Sequence, residues 1–498
     1  MIRVIARKEV LDQVSSPKFI FLFAVSAVLI VFSLYTGSAA YVAARDEHRS
    51  TETLARREVE NRQDYNELSQ FGVKVSRPPS PLSSVAGGVS SALGRSARVR
   101  PGQQPEIAPP PVADTPVIAV LGELDVSVVT RVFLSLFVLL LTYDAIAGEK
   151  ERGTLKAVLA NPVPRAQLLM GKALGLFGVF LVAAAIPAII GALIMTVGFG
   201  IELGAGDWAR LVAIGAVAVL YLLALFSTGL FVSTATTRSS VAFLVLLLIL
   251  VGFVEVVPKA SPMLARQFRP APSYAELQSE RDRLQRENQQ AMFGSMQKAF
   301  ALFASAPPGD EAAQAVLQVR VDSMIGRSRD SLQRELRDQT ARLEEAYRNR
   351  QDAMTGLALT FSRSSPAAAM SHATEVLAGT DFDLHKRWRD ELLAYRGALE
   401  DWLKSKGVEF GGGMRFAIRV NTGGPGGGGG GGGATFRIGS GGSEEARLDL
   451  TTMPQYTVRA EGLGVALGRA APDLVILGLW SAATLMLAFW RFLTYDVR

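Results

Sequence analysis

Six stretches of this chain are nearly free of charge and long enough to cross a bilayer: roughly Lys18–Ala40, Val126–Ile146, Gln167–Phe199, Trp208–Ser233, Val241–Val257 and Pro472–Thr494. Lipid offers the backbone no hydrogen-bonding partner, so a crossing takes about 20 apolar residues wound as a helix. That requirement excludes a single soluble core. The composition, 49% hydrophobic and 20% charged, is an average over two unlike populations of sequence. The fold class that follows is mainly α: a polytopic membrane protein of about six transmembrane helices. The third stretch is too long for one straight crossing, so either Pro187 kinks it or part of it lies outside the bilayer.

Charge placement predicts the orientation. Basic residues collect at Arg3, Arg7, Lys8 and Lys18, at Lys150, Arg152, Lys156, Arg165 and Lys172, at Arg238, and at Arg491 and Arg498. The connection between the third and fourth stretches carries Glu202 and Asp207, with no basic residue before Arg210. The positive-inside rule then puts both termini in the cytoplasm and the two long loops outside. The expected layout is a cytoplasmic amphipathic helix at 1–17, a first span at 18–40 and an extracytoplasmic loop at 41–125. The second span at 126–146 leads into a cytoplasmic segment at 147–166, followed by spans at 167–199, 208–233 and 241–257. A large extracytoplasmic domain at 258–471, a last span at 472–494 and a cytoplasmic tail at 495–498 complete it. The basic, apolar N-terminus also has the look of a signal peptide, but its long leading region and the spans that follow favour an uncleaved first span.

The first outer loop opens with a helix-like run from Arg45 to Gln70, then turns rich in Pro, Ser and Gly from Arg77 to Pro116, the composition of an extended linker or a wrapping segment, not of a core. The second outer loop alternates charge with spaced apolar residues over Tyr274–Gln297 and Asp310–Leu359, which predicts a solvated helical hairpin or a short coiled coil. A further helix is expected over Asp383–Lys406, and Ser365-Pro366 has the form of a helix start. MRFAIRV and ATFRIG flank the run Gly426–Gly433 and predict a small β-hairpin.

Chemistry-bearing motifs are scarce. There is no cysteine, which removes disulfides and thiol catalysis, and His48, His372 and His385 are scattered without metal-ligand spacing. The glycine run lacks the Lys-Ser/Thr and the helix of a phosphate loop, so no cofactor-binding, catalytic or metal residue is assigned. A net charge of +6 over 498 residues argues against nucleic acid as a partner and suits membrane lipid. Arg131, Asp144 and Glu255 sit near span ends and read as structural. Trp208, Trp480 and Trp490 read as interfacial anchors, and Gly171 with Gly175 as a helix-packing G-x-x-x-G.

The joint between the second and third stretches departs from an ordinary basic inner loop. It packs Glu149, Lys150, Glu151, Arg152 and Lys156 together, then runs through Gly153–Ala160 with Leu155, Val158 and Leu159 at helical spacing. A short amphipathic piece of this kind can pass force from a soluble partner to the spans.

At this point the residues resemble a family. The run YDAIAGEKERGTLKAVLANPVPRAQLLMGK, residues 143–172, resembles the joint after the second span of ABC-2 type transporter permeases. PPSPLS, SRSSPAAAMSHATEVLAGT at 362–380, MPQYTV at 453–458 and the terminal FLTYDVR are similar to the branch with a large external domain in the second half of the chain. The run at Gly426–Gly433 departs from that pattern and reads as a lineage insertion. The resemblance implies a non-catalytic exporter permease of the bacterial inner membrane. It implies pairing with an identical or sister permease and two copies of a cytoplasmic ATPase, which would carry the ATP and Mg. It gives the coupling role to Gly148, Glu149, Lys150, Glu151, Arg152, Gly153, Thr154 and Leu155. The alternative is ATP-driven transmission of motion to an envelope partner with no cargo crossing. A channel or secondary transporter would need ionisable residues at mid-membrane and inverted repeats, and neither is evident.

Overall fold

A computed structural model describes residues 1–90, 93–109, 124–160, 163–304, 311–408, 415–420, 434–439, 449–458 and 461–495. Among the described residues six helices are long and apolar enough to cross a membrane: Pro17–Glu60, Val126–Glu151, Arg165–Gly198, Ala205–Ala235, Ser239–Phe268 and Leu463–Leu493. They are called the first to sixth spans below. The bundle has two ends. The joint end carries the N-terminal helix Ile2–Val14, the joint and Tyr495; the domain end carries the polar structure.

Local sequence sets the helix starts. Ser16 caps the first span, its Oγ accepting from Phe19 N at 3.1 Å, with Pro17 supplying a helical φ at the first position. Asp125 caps the second in the same way through Val128 N at 2.7 Å. The third helix runs through Pro187 and ends in a π-helical turn at Ile194–Gly198. Two more π turns interrupt the second span at Val129–Leu134 and the fifth at Gly252–Val256. All three lie toward the domain end. Inside the bundle Phe137 and Phe180 meet edge to face at 5.3 Å, and Tyr221, Phe226 and Phe492 are buried around them.

The first span does not stop at the membrane. Its 44 residues reach into the structure at the domain end, where Val59 joins a second core with Leu68, Val75, Val99, Trp388, Leu392 and Leu399. This changes the reading of the Pro/Ser/Gly stretch. Its described part contributes to a core: β2 (Ser96–Val99) and β3 (Glu106–Ile107) lie in it and form an antiparallel sheet with β1 (Val73–Ser76), which precedes it. Val73 pairs with Val99 and Ala97 with Ile107, and Leu82, Val85 and Ala86 are buried. Each apolar piece is too short to stand out alone; the helix Phe382–Ser405 supplies the partner face from about 300 residues away.

The helical hairpin comprises Tyr274–Ala304 and Glu311–Ser362. Beyond it, Pro366–Ala378 forms a short, almost wholly buried helix wedged among the fourth, fifth and sixth spans. Ser365 caps it and also donates to Phe253 O at 2.5 Å. The two outer strands β4 (Arg415–Val420) and β5 (Ala434–Gly439) pair antiparallel, while the run Gly426–Gly433 lies outside the described residues. Trp480 is not an interfacial anchor. Its indole N–H donates to Thr228 Oγ1 at 3.1 Å and its ring meets Phe253 at 5.1 Å, so it packs within the bundle. Trp208 and Trp490 are exposed.

Candidate functional site

The joint is two short helices, Ala147–Glu151 and Thr154–Leu159, broken at Gly153. Gly153 holds φ at +73°, a left-handed conformation that costs glycine nothing. Ser233 of the fourth span fixes where the joint begins. Its Oγ accepts from Ile146 N and Ala147 N, both at 3.0 Å, and donates to Tyr143 O at 3.0 Å. Those are backbone groups that the end of a helix leaves unpaired.

Three consecutive charges then fan out to different helices. Glu149 Oε1 meets Lys172 Nζ of the third span at 2.8 Å, and the same ammonium meets Glu9 Oε1 of the N-terminal helix at 2.9 Å. Lys172 is only 4% exposed, so this triad is a buried ion cluster, in which removing one member leaves the others unpaired. Lys150 Nζ donates to Thr234 O, and to Thr236 O at 3.1 Å, at the C-terminal end of the fourth span, where a cation is favoured. It also lies 4.6 Å from the centre of the Tyr495 ring. Glu151 Oε2 accepts from Ser239 N at 3.0 Å and Ser239 Oγ at 2.7 Å, at the N-terminal end of the fifth span, where an anion is favoured.

The remaining members behave differently. Gly148 is buried between Asp144 and Ser239, and a Cβ there would come within 3.3 Å of Asp144 Cβ. Leu155 is 1% exposed and anchors the second short helix. Arg152, Gly153, Thr154 and Lys156 are exposed, and together they form the outer surface of the joint. The predicted set therefore divides into inward ties (Gly148, Glu149, Lys150, Leu155), one exposed tie (Glu151, bound to Ser239) and an outward face (Arg152, Gly153, Thr154).

Gly171 and Gly175 face the N-terminal helix. A Cβ on Gly171 would sit 2.8 Å from Ile5 Cβ, and one on Gly175 would sit 2.8 Å from Ala6 O. The N-terminal helix thus lies directly on the third span through Ile5 and Ala6, while Val4, Leu11 and Val14 remain exposed. Sequence reasoning missed Glu9, Ser233, Ser239 and Tyr495 as parts of this site. Glu9 carried a faint signal: an acid one helical turn after Ile5, on the side that meets the third span.

Residues 3–497 match the family described as ABC-2 family transporter protein. The chain belongs to that family. Two similar proteins carry the name "Probable ABC transporter permease protein NosY". The one from Pseudomonas aeruginosa is 57% identical over 42 residues, 8% of this chain and 15% of that protein. The one from Stutzerimonas stutzeri is 43% identical over 81 residues, 15% of this chain and 28% of that protein. The aligned stretches thus span less than a third of either relative. The joint of this ABC-2 family protein has one face tied to the bundle and one face open.

Proposed function

We propose that this chain is the membrane-spanning permease subunit of an ATP-driven exporter, and that the joint receives motion from a separate ATPase. The carrying observation is the division of the joint. Glu149 and Lys150 tie it to the N-terminal helix and the third and fourth spans, the exposed Glu151 ties it to the fifth through Ser239, and Arg152, Thr154 and Lys156 stay exposed with no tie to those helices among the described residues. A push on the open face therefore reaches four helices through short, charge-assisted contacts. The ATPase, in two copies, would bind ATP and Mg, and a second permease, identical or sister, would complete the membrane pair. The basic residues at the joint end support a cytoplasmic placement of both termini in a bacterial inner membrane, with the domain outside.

The test separates the two faces. Arg152→Glu with Lys156→Glu changes exposed charge only, so folding should hold while co-purification with the genomically adjacent ATPase and stimulated ATP hydrolysis fall. Unchanged assembly and stimulation in that double variant would refute the coupling role.

A second reading is transmission of motion without cargo. It is favoured by the unbroken 44-residue first helix and the 52-residue hairpin arm Glu311–Ser362. Reconstituted full-length protein that hydrolyses ATP with its partner and alters a crosslink between the hairpin and an envelope protein, yet moves no solute, would support it.

A further inference from the structure

At the domain end, a cavity of about 390 Å³ opens between the second span, the outer part of the fifth, the end of the hairpin arm and the buried helix Pro366–Ala378. Pockets that hold small ligands start near this size, at roughly 300 Å³. Arg131, Pro258, Ser261, Thr355, His372 and Glu375 are among its lining residues. Its charges are unevenly satisfied. Arg363 is held by Asp473 at 2.9 and 3.4 Å, and Asp381 Oδ2 by Arg469, while the buried Asp381 Oδ1 and His372 Nδ1 have no hydrogen-bond partner among the described residues. Arg131 has one contact at the limit of a hydrogen bond, Nη1 to Ser371 Oγ at 3.5 Å, and its buried Nε has no partner among the described residues. The Glu375 side chain has neither a hydrogen bond nor an ion pair among the described residues, and it does not pair with Arg131. Leaving buried polar groups unpaired in this way is costly unless a ligand completes them.

The backbone holds Arg131 in place. The π turn at Val129–Leu134 exposes its carbonyl, which accepts from Ser135 Oγ at 2.6 Å and Tyr221 OH at 3.2 Å. Such turns concentrate at functional sites. An anion alone would face Glu375, and a cation alone would face Arg131. A ligand carrying both charges matches the cavity. On the bundle side of the cavity the fifth span exposes Leu248, Val251 and Val256, an apolar surface suited to acyl chains.

We propose that this cavity binds the phosphoethanolamine headgroup of a membrane phospholipid, with Arg131 receiving the phosphate and Glu375 the ammonium. A primary ammonium donates hydrogen bonds to a carboxylate; a quaternary ammonium cannot, and a glycerol headgroup carries no positive charge. Burial pushes the Glu375 carboxyl up to about 8, with Asp125 and Asp381 adding to the effect and Arg131 opposing it, and an ammonium partner would favour its ionised form. The assignment is independent of the coupling role proposed for the joint.

The experiment uses the full-length chain in nanodiscs of phosphatidylethanolamine, phosphatidylcholine or phosphatidylglycerol, with retained lipid read by native mass spectrometry. Phosphatidylethanolamine should be retained above the other two. Glu375→Gln and Arg131→Gln should each lower that preference roughly tenfold to a hundredfold. Equal retention of all three lipids, or an unchanged preference in folded Glu375→Gln protein, would overturn the proposal. The chain has no cysteine, so Thr355→Cys gives a single thiol on the cavity wall and a readout with both charges in place. Phosphatidylethanolamine should slow its modification by a water-soluble thiol reagent. Equal protection by soluble glycerophosphoethanolamine at matched concentration would overturn the lipid assignment, and protection by neither would overturn the site.

Discussion

Replacing Lys172 by Met tests whether the buried triad holds the joint to the N-terminal helix. In the wild type one ammonium, 4% exposed, serves two carboxylates at 2.8 and 2.9 Å. Methionine keeps the stem and removes the charge. Glu149 and Glu9, whose side chains are only 17% and 12% exposed, would then face each other with no counter-charge. Breaking a buried pair by removing one partner costs about 3–5 kcal/mol. That is roughly two to three and a half orders of magnitude in the docking equilibrium of the N-terminal helix. The apolar contacts at Gly171 and Gly175 remain, so the expected change is local undocking, not global unfolding. Two readouts follow. Protease cleavage near Ser15 should accelerate, and, on the coupling role proposed above, stimulated ATP hydrolysis by a partner ATPase should fall while its binding persists. A neutral triple variant, Lys172→Met with Glu9→Gln and Glu149→Gln, should recover much of the loss, because no bare charge is left buried. If Lys172→Met leaves cleavage and stimulation at wild-type levels, the triad does not hold this joint.

Three further outcomes are expected. Gly175→Val pushes a side chain into Ala6 O and Glu9 Cβ, both under 3 Å from an added Cβ, and should cost about 1–3 kcal/mol of helix docking, read by the same cleavage assay. Tyr221→Phe removes a hydroxyl bound to Ser135 Oγ at 2.7 Å and to the Arg131 carbonyl, and should lower thermal stability by about 1 kcal/mol without changing ATPase binding. In the outer domain burial, with Arg77 and Arg389 nearby, holds the His385 imidazole down at about 4. The unfolded chain binds the proton more readily there, so this contribution is intact above about pH 6.5 and is lost as pH falls toward 4. Thermal melts of His385→Gln should show a shallower acid loss over that window; an identical pH profile would contradict it.

What was legible in the sequence follows from the range of the forces involved. The spans and the hairpin were legible because lipid burial and helical periodicity are written locally; the arm expected to end at Leu359 ends at Ser362. The joint stood out by its charge density, but the destination of each charge did not. Glu9 and Lys172 are 163 residues apart, and nothing near either one announces the other. The sheet in the first outer loop was missed for the same reason. Ala97 and Val99 make a convincing strand only once Trp388 and Leu392 cover them. Trp480 misled because indole suits both an interface and a bundle, and the choice was made by Thr228 and Phe253 on other helices. Arg131 was read as a structural charge near a span end. The π turn that redirects its backbone leaves no mark in the hydropathy pattern.

The length of the first helix has a mechanical consequence. At 1.5 Å per residue, 44 residues make a rod of roughly 66 Å, of which only about 30 Å lies within the hydrocarbon. One end follows the N-terminal helix after a turn at Ser15–Ser16, and the other is cemented into the second core through Val59. If the helix tilts as a unit, the membrane would act as its pivot. Pivoted about 30 Å from its outer tip, it would swing that tip by roughly 3 Å for a tilt of about 5°, carrying the outer domain with it. A displacement too small to open a pore could thus be plain to see on the far side.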